Sequence, residues 1–376
     1  MTWQLIESDA ALGELVERAA SAQAVIVDTE FMRRNTFYPR VALVQLCCDA
    51  PELDSDSAWL VDPLALDNPA PLADLLTRPQ VTKVVHSASE DLEVFRRWLG
   101  VLPEPLFDTQ RAAALLDIGF GMGFRALVQT ITGIELDKGE TRSDWLRRPL
   151  TQSQCEYAAQ DVLCLFPVWR ELHRRCQEQN KLDWVLADSA AAVDAARTDS
   201  SDYPARIKGA RKLDARQLAA LAAISRWREA TARSRDKPRN WIIDDRTCLQ
   251  LAQRDPRDPR ELADVPDLPA PVARRYGRTL LDLLAEQRAL PESQLPAPLP
   301  EPLDADGRQQ VKKLRSRARD IAEELAVAPE ALLQARDYEL LLREGSGEAV
   351  SPPPHWQGWR DELVLRPLRR SLGGED

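Results

Sequence analysis

Short apolar runs alternate with longer amphipathic stretches through the first half of the chain. AVIV at Ala24–Val27, VALVQLCC at Val41–Cys48, WLVD at Trp59–Asp62 and KVVH at Lys83–His86 have the length and β-branched content of buried strands. ELVERAA, PLADLL, EDLEVFRRWL and RAAALL place apolar residues at helical spacing, each with one face to bury. An α/β domain is predicted. No helical stretch separates AVIV from VALVQLCC, and Pro39 stands between them, so this pair is expected to run antiparallel within a mixed sheet. From about Thr151 the strand signals fade, and segments such as SQCEYAAQDVLCLFPVWRELHRRCQEQ and DARQLAALAAISRWREATARS predict an all-α second half. LPESQLPAPLPEPLDADG, at Leu290–Gly307, reads as a stiff linker. Further helices flank Pro329, and SGEAVSPPPHWQGW interrupts them before a short closing helix.

Composition adds bounds. A chain of 376 residues suits two or three domains, and 44% hydrophobic with 29% charged residues is a globular balance. The beginning of the chain has neither a secretory nor a transit pattern, and no run approaches the roughly 18 apolar residues of a membrane span. Six cysteines without a CxxC pair, Cys47 and Cys48 being adjacent, suggest neither a disulfide framework nor a zinc site. A cytoplasmic protein without membrane attachment is expected. The net charge of -10 argues against a polyanionic partner until its distribution is considered. Between Arg206 and Arg246, twelve basic residues face five acidic ones, so an acidic chain carries one basic block.

Three carboxylate patterns stand out. Asp28 and Glu30 follow AVIV two residues apart; strand alternation points both to one face, roughly 6 to 7 Å apart. The end of a buried strand is also where α/β sheets bind ligands. Glu90 and Asp91 open the helix after KVVH, and Tyr157 and Asp161 sit four apart on one helical face. Taken singly, each has an ordinary reading: a solvated loop, acids favoured by the helix dipole, and an exposed Tyr–Asp pair.

Together, VDTEF, HSASEDLEVF and YAAQDV resemble the three motifs of the DEDDy branch of the DEDD 3′-5′ exonuclease superfamily. FDTQRAAALL and RSDWLRRPLTQSQ resemble ribonuclease D in particular, and LDARQLAALAAISRWREATARSRDKPRNWIIDD resembles the first part of an HRDC domain. The resemblance implies an α/β ribonuclease H-like exonuclease domain over 1–202, an HRDC domain over 207–290, a Pro-rich linker over 291–306, and a degenerate second HRDC-like helical domain over 307–376. It further implies removal of nucleotides from RNA 3′ ends, tRNA precursors among them, by two-metal-ion hydrolysis in a protein taken as a monomer. Asp28, Glu30, Asp91 and Asp161 would hold two divalent cations, Mg2+ or Mn2+. By the family pattern Asp28 bridges them, Glu30 and Asp161 serve the one holding the nucleophile, and Asp91 serves the other. Independently, crowded carboxylates raise one another's pKa unless a cation neutralises them, and hard oxygen donors select magnesium or manganese over zinc. With an ordinary pKa of about 10, Tyr157 is a poor base near neutrality and is expected to orient the attacking water.

Further substrate contacts are expected from Phe31, Gln45, His86, Lys138 and Trp145, and from Arg228, Lys237 and Arg239 of the basic block. Each has a structural alternative. His86 could equally be a packing residue, Lys138, Arg142 and Trp145 a loop around a packed Trp, and Trp227 and Trp241 core residues among cations that bind phosphate. His173 and Cys176 lack the further ligands of a zinc site, and GFGMGF reads as a turn, not a dinucleotide cradle. A DNA-directed exonuclease and a non-catalytic RNA-binding scaffold are the competing functions. The presence of all four acids and the tyrosine weighs against the scaffold.

Overall fold

A computed structural model describes residues 2–48, 57–137, 139, 143–198 and 203–373, and the chain divides into two compact units. The first comprises 1–32, 40–198 and 303–376; the second comprises 33–39 and 199–302.

In the first unit, β1 (Trp3–Ile6), α1 (Asp9–Ala19), β2 (Ala24–Met32), β3 (Arg40–Cys47), β4 (Ala58–Val61), α2 (Ala70–Thr77), β5 (Thr82–Val85), α3 (Ser89–Trp98) and β6 (Leu106–Asp108) follow in order. The six strands form a mixed sheet of order β1-β4-β3-β2-β5-β6. β3 runs antiparallel to both β2 and β4, as the missing crossover helix requires, while the remaining pairs are parallel. β1 and β6 were not expected. WQLI is a four-residue edge strand with two exposed positions, and LFD has three residues, too few for a periodic signal.

Alternation along the strands divides the core into two faces. Val25, Val27, Val44 and Leu46 pack with Leu12, Leu72, Leu75, Leu92 and Phe95 of α1, α2 and α3. Ala24, Ile26, Cys47 and Ala58 share the opposite core with α4 (Thr109–Leu115), α5 (Phe124–Thr132) and α6 (Gln152–Glu178). α6 starts in a capping box between Thr151 and Gln154, which satisfies two otherwise orphaned backbone donors. α7 (Leu182–Arg197) follows.

In the second unit, α8 (Tyr203–Arg206), α9 (Ala215–Arg235), α10 (Arg239–Ile242), α11 (Asp245–Arg254), α12 (Pro259–Ala263) and α13 (Ala270–Arg288) surround Leu221, Ile224, Leu251, Leu280 and Leu284. Asp214, Asp244 and Asp258 cap three of these helices. Asp236 closes α9 in the left-handed region and accepts from the backbone N–H groups of Phe37 and Tyr38, both at 3.0 Å.

The C-terminal segment groups with the first unit. α14 (Ala305–Leu325), α15 (Pro329–Leu332), α16 (Ala335–Gly345) and α17 (Arg366–Gly373) belong to the first unit, and their Val311, Leu314, Ile321 and Leu341 join its hydrophobic core. The apolar face of α14 is visible in the sequence, but nothing local shows what it covers. The Ala328 N–H donates to Ala114 O at 2.8 Å, and Lys181 Nζ donates to Ala326 O at 2.7 Å. Trp359 stacks on Trp184 at 4.6 Å, and buried Arg360 pairs with buried Asp188. Within the Pro-rich stretch, Leu299 packs on the core of the second unit.

Removing one partner of a buried ion pair strands the other charge, at a cost of about 3 to 5 kcal/mol. Arg360→Ala is therefore expected to destabilise the first unit by that order, read as a lower denaturant midpoint. A midpoint equal to the wild type would show that the segment is not anchored there.

Candidate active site

β2 delivers two acids because its pattern changes chemistry without changing period. Ala24 and Ile26 pack against the helices of the α6 side, and alternation carries Asp28 and Glu30 onto the same face. A register shift between Glu30 and Phe31 then offsets the pairing with β3 by one residue. α6 buries Ala158, Val162 and Leu165 and presents Tyr157 and Asp161 one turn apart. Carboxylate oxygens of Asp28, Glu30 and Asp161 lie within 4.8 Å of one another, the one such group of potential metal ligands among the described residues.

Asp91 reaches the strand end from the other helical layer. The Asp108 carboxylate accepts from the N–H groups of Ser87 and Ala88 at 3.1 and 3.2 Å, fixing the turn, with Ser87 at φ +64°, that leads into α3. Asp91 Oδ1 then accepts from Thr29 Oγ1 at 2.5 Å. It is not in the group of three, but its field acts on Glu30 and that of Asp28 acts on it. Thr29 was missed because the middle residue of D-x-E points away from its neighbours' face; only the position of α3 gives it a partner.

Burial, followed by the charges of Asp28, Asp161 and Asp91, pushes the Glu30 carboxyl up to about 9. Burial raises Asp28 to about 6 against the opposing backbone N–H of Thr29. Asp91 and Asp161 are also held well above the ordinary carboxylate range, first by burial and then by Asp28. The Tyr157 phenol is raised by burial and by the charges of Asp161, Glu30 and Asp28, so it stays protonated and donates to Asp161. Gly139 lies so close to the Tyr157 ring that a Cβ would sit 1.9 Å from Cδ2. This donor set is oxygen only, anionic and crowded, so it fits a hard divalent cation that relieves the repulsion.

The remaining candidates separate. Phe31 is half-buried beside the register shift. Gln45 and Trp145 are buried, so neither presents a surface to a substrate in this structure, and Trp145 lies 6.1 Å from the Tyr157 ring. His86 uses Nδ1 with Thr109 Oγ1 and Nε2 with Met122 O, at 3.0 and 3.1 Å, which favours its packing role. Lys138 and Arg142 lie outside the described residues. In the second unit Arg228 is buried and paired with Asp245 at 2.8 Å, which removes it from phosphate contact. Arg239 donates to Glu229 at 2.9 Å, whereas Lys237 lies 5.7 Å from the Trp241 ring centroid. Trp241 is 61% exposed, contrary to a core role; Trp227 packs against the core.

Comparison with known proteins agrees with this geometry. A 3′-5′ exonuclease family profile matches residues 3–177, and an HRDC domain profile matches 217–284. The chain is 40% identical over 372 residues to ribonuclease D of Pseudomonas paraeruginosa, covering 98% of this chain and 97% of that one. Identity to Escherichia coli ribonuclease D is 35% over 384 residues, covering 99% of each. The crystal structure of E. coli RNase D, described as an exoribonuclease involved in structured RNA processing, superposes with a TM-score of 0.89 at 34% identity, covering 100% of this chain and 99% of that one.

Thr29→Val keeps shape and strand propensity while removing the donor to Asp91. A hydrogen bond to a charged group is worth about 1.5 to 3 kcal/mol. Any nuclease turnover is therefore expected to fall roughly 10- to 100-fold with folding intact, and an unchanged kcat would deny Thr29 that role.

The raised carboxyls also set a pH dependence. Each contributes stability fully present below its unfolded pKa and lost as pH rises through its folded value: from 3.8 through about 6 for Asp28 and from 4.5 through about 9 for Glu30. Chelator-treated protein is expected to melt lower at pH 9 than at pH 5, and Glu30→Gln to flatten that slope. Saturating manganese should remove the difference by binding the folded state. Calorimetry across this range checks both, and a slope unaffected by Glu30→Gln would refute the assignment.

Proposed function

The chain belongs to the ribonuclease D family of 3′-to-5′ exoribonucleases, and we propose that it removes nucleotides singly from the 3′ ends of tRNA precursors, releasing 5′-mononucleotides. The observation that carries this reading is the convergence of Asp28, Glu30 and Asp161 beside Tyr157, from a strand end and a helix far apart in sequence. We infer a site for two divalent cations, magnesium or manganese, with Asp91 as the fourth acid. When bound, such cations neutralise phosphate charge, promote deprotonation of water and stabilise the leaving oxygen.

The chain's own residues do the rest by placement. Asp28 and Glu30 are fixed by the sheet, so their carboxylates need little reorganisation to bind a cation. Asp161 accepts from Tyr157, which keeps that phenol protonated and turned toward the acids. Tyr157 therefore acts as a hydrogen-bonding residue that orients water and is not the base that takes its proton. Structured RNA is processed by the E. coli relative, and tRNA precursors are the structured RNA proposed here. In the second unit, exposed Arg206, Lys208, Arg211, Lys212, Arg226 and Arg235 offer phosphate contacts, and Trp241 offers a stacking surface for an unpaired base. A monomer in the reducing cytoplasm completes the reading, in keeping with six cysteines that form no disulfide with one another.

The test is digestion of matched single-stranded RNA and DNA with manganese, followed by product sizing. Shortening of RNA from its 3′ end one nucleotide at a time is expected. Asp28→Ala should lower turnover by about 10³-fold, several kcal/mol of lost charge stabilisation, with RNA affinity retained. Preferential loss of DNA would support a DNA-directed exonuclease, and no cleavage of either would support the scaffold.

A further inference from the structure

Gln45 is the one residue of β3 whose chemistry does not fit its surroundings. It is fully buried, and neither its amide oxygen nor its amide nitrogen has a hydrogen-bond partner among the described residues. A buried orphan amide is destabilising, and an apolar side chain of similar size fills such a position at lower cost. Its neighbours sharpen the contrast. Two positions along the strand on either side, Leu43 and Cys47 face the same layer, and its cross-strand partner on β4 is Leu60. On β2 its partner in register is Asp28. Directly paired residues of antiparallel strands project to one face with Cβ atoms about 4.5 to 5.5 Å apart, well within the reach of a glutamine amide toward a carboxylate. Asp28 also contributes to the field on each of Glu30, Asp91, Asp161 and Tyr157.

We propose that Gln45 is a positioning residue for Asp28: when a cation is bound, its amide NH2, which has no partner among the described residues, turns to donate to the Asp28 carboxylate and fixes the orientation in which that carboxylate holds the divalent cation. The inference rests on the reading of Asp28 as a cation ligand. An ionised carboxylate has acceptor sites on both oxygens, so one directed outward to a cation still has lone pairs for a donor behind it. Groups that orient metal ligands in this way tune affinity without touching the metal or the substrate. The proposal also accounts for a polar residue retained where packing alone favours Leu or Met. Gln45 would then cost stability in the metal-free protein and return it as cation affinity.

Gln45→Met separates these effects, because it preserves volume and flexibility while removing the donor. Manganese affinity, measured by titration calorimetry on chelator-treated protein, is expected to fall about 10-fold or more. The metal-free melting temperature should be unchanged or a few degrees higher, since an orphan amide has been removed. In single-stranded RNA digestion at limiting manganese, kcat should fall with KM nearly constant. A purely structural glutamine would lower the metal-free melting temperature and leave manganese affinity within twofold of the wild type, and that result overturns the proposal. Gln45→Leu carries the same comparison if the methionine variant does not fold. Wild-type protein that binds no manganese would instead defeat the reading of Asp28 itself, so the two failures are distinguishable.

Discussion

Carboxylates brought together on one buried sheet face repel one another, and that repulsion constrains everything around them. Asp28, Glu30 and Asp161 are held within 4.8 Å by a strand and a helix that are each rigid for unrelated reasons. Β-branched and aliphatic burial fixes the strand; a capping box and an apolar stripe fix the helix. Without a counter-charge the acids keep protons far above their ordinary range, as Glu30 does near 9. The scaffold thus stores unfavourable electrostatics that a divalent cation or a proton must relieve, and that is the physical content of a metal-dependent site.

The surrounding structure prevents the acids from escaping the strain. Thr29 ties Asp91 to the strand that carries Asp28 and Glu30, so acids from both helical layers meet at one strand end. Asp108 fixes the turn before α3 through two backbone N–H groups. Tyr157 donates to Asp161, and Trp145 lies beside the Tyr157 ring without reaching solvent. Of the side chains that a sequence reading places against substrate, Gln45 and Trp145 are buried and His86 has a protein partner at each ring nitrogen. The second unit makes the same point for charge. Of its basic block, Arg228, Arg233 and Arg239 are engaged with Asp245 or Glu229, so a count of cations overstates the surface offered to phosphate.

What the amino-acid sequence determined by itself is what depends on neighbours along the chain. The period-two pattern of β2 fixes Asp28 and Glu30 on one face, helical spacing fixes Tyr157 with Asp161, and the absent crossover helix makes β2 and β3 antiparallel. The resemblance of these three motifs to a nuclease family followed from the same local features. Only the tertiary structure decided where each surface finds its partner. It buried Gln45 beside Asp28 on the neighbouring strand, occupied both nitrogens of His86, exposed Trp241, and placed Val311, Leu314, Ile321 and Leu341 in the core of the first unit. Periodicity states which face of an element is apolar, whereas burial and pairing depend on which distant face is pressed against it, and no local pattern encodes that choice.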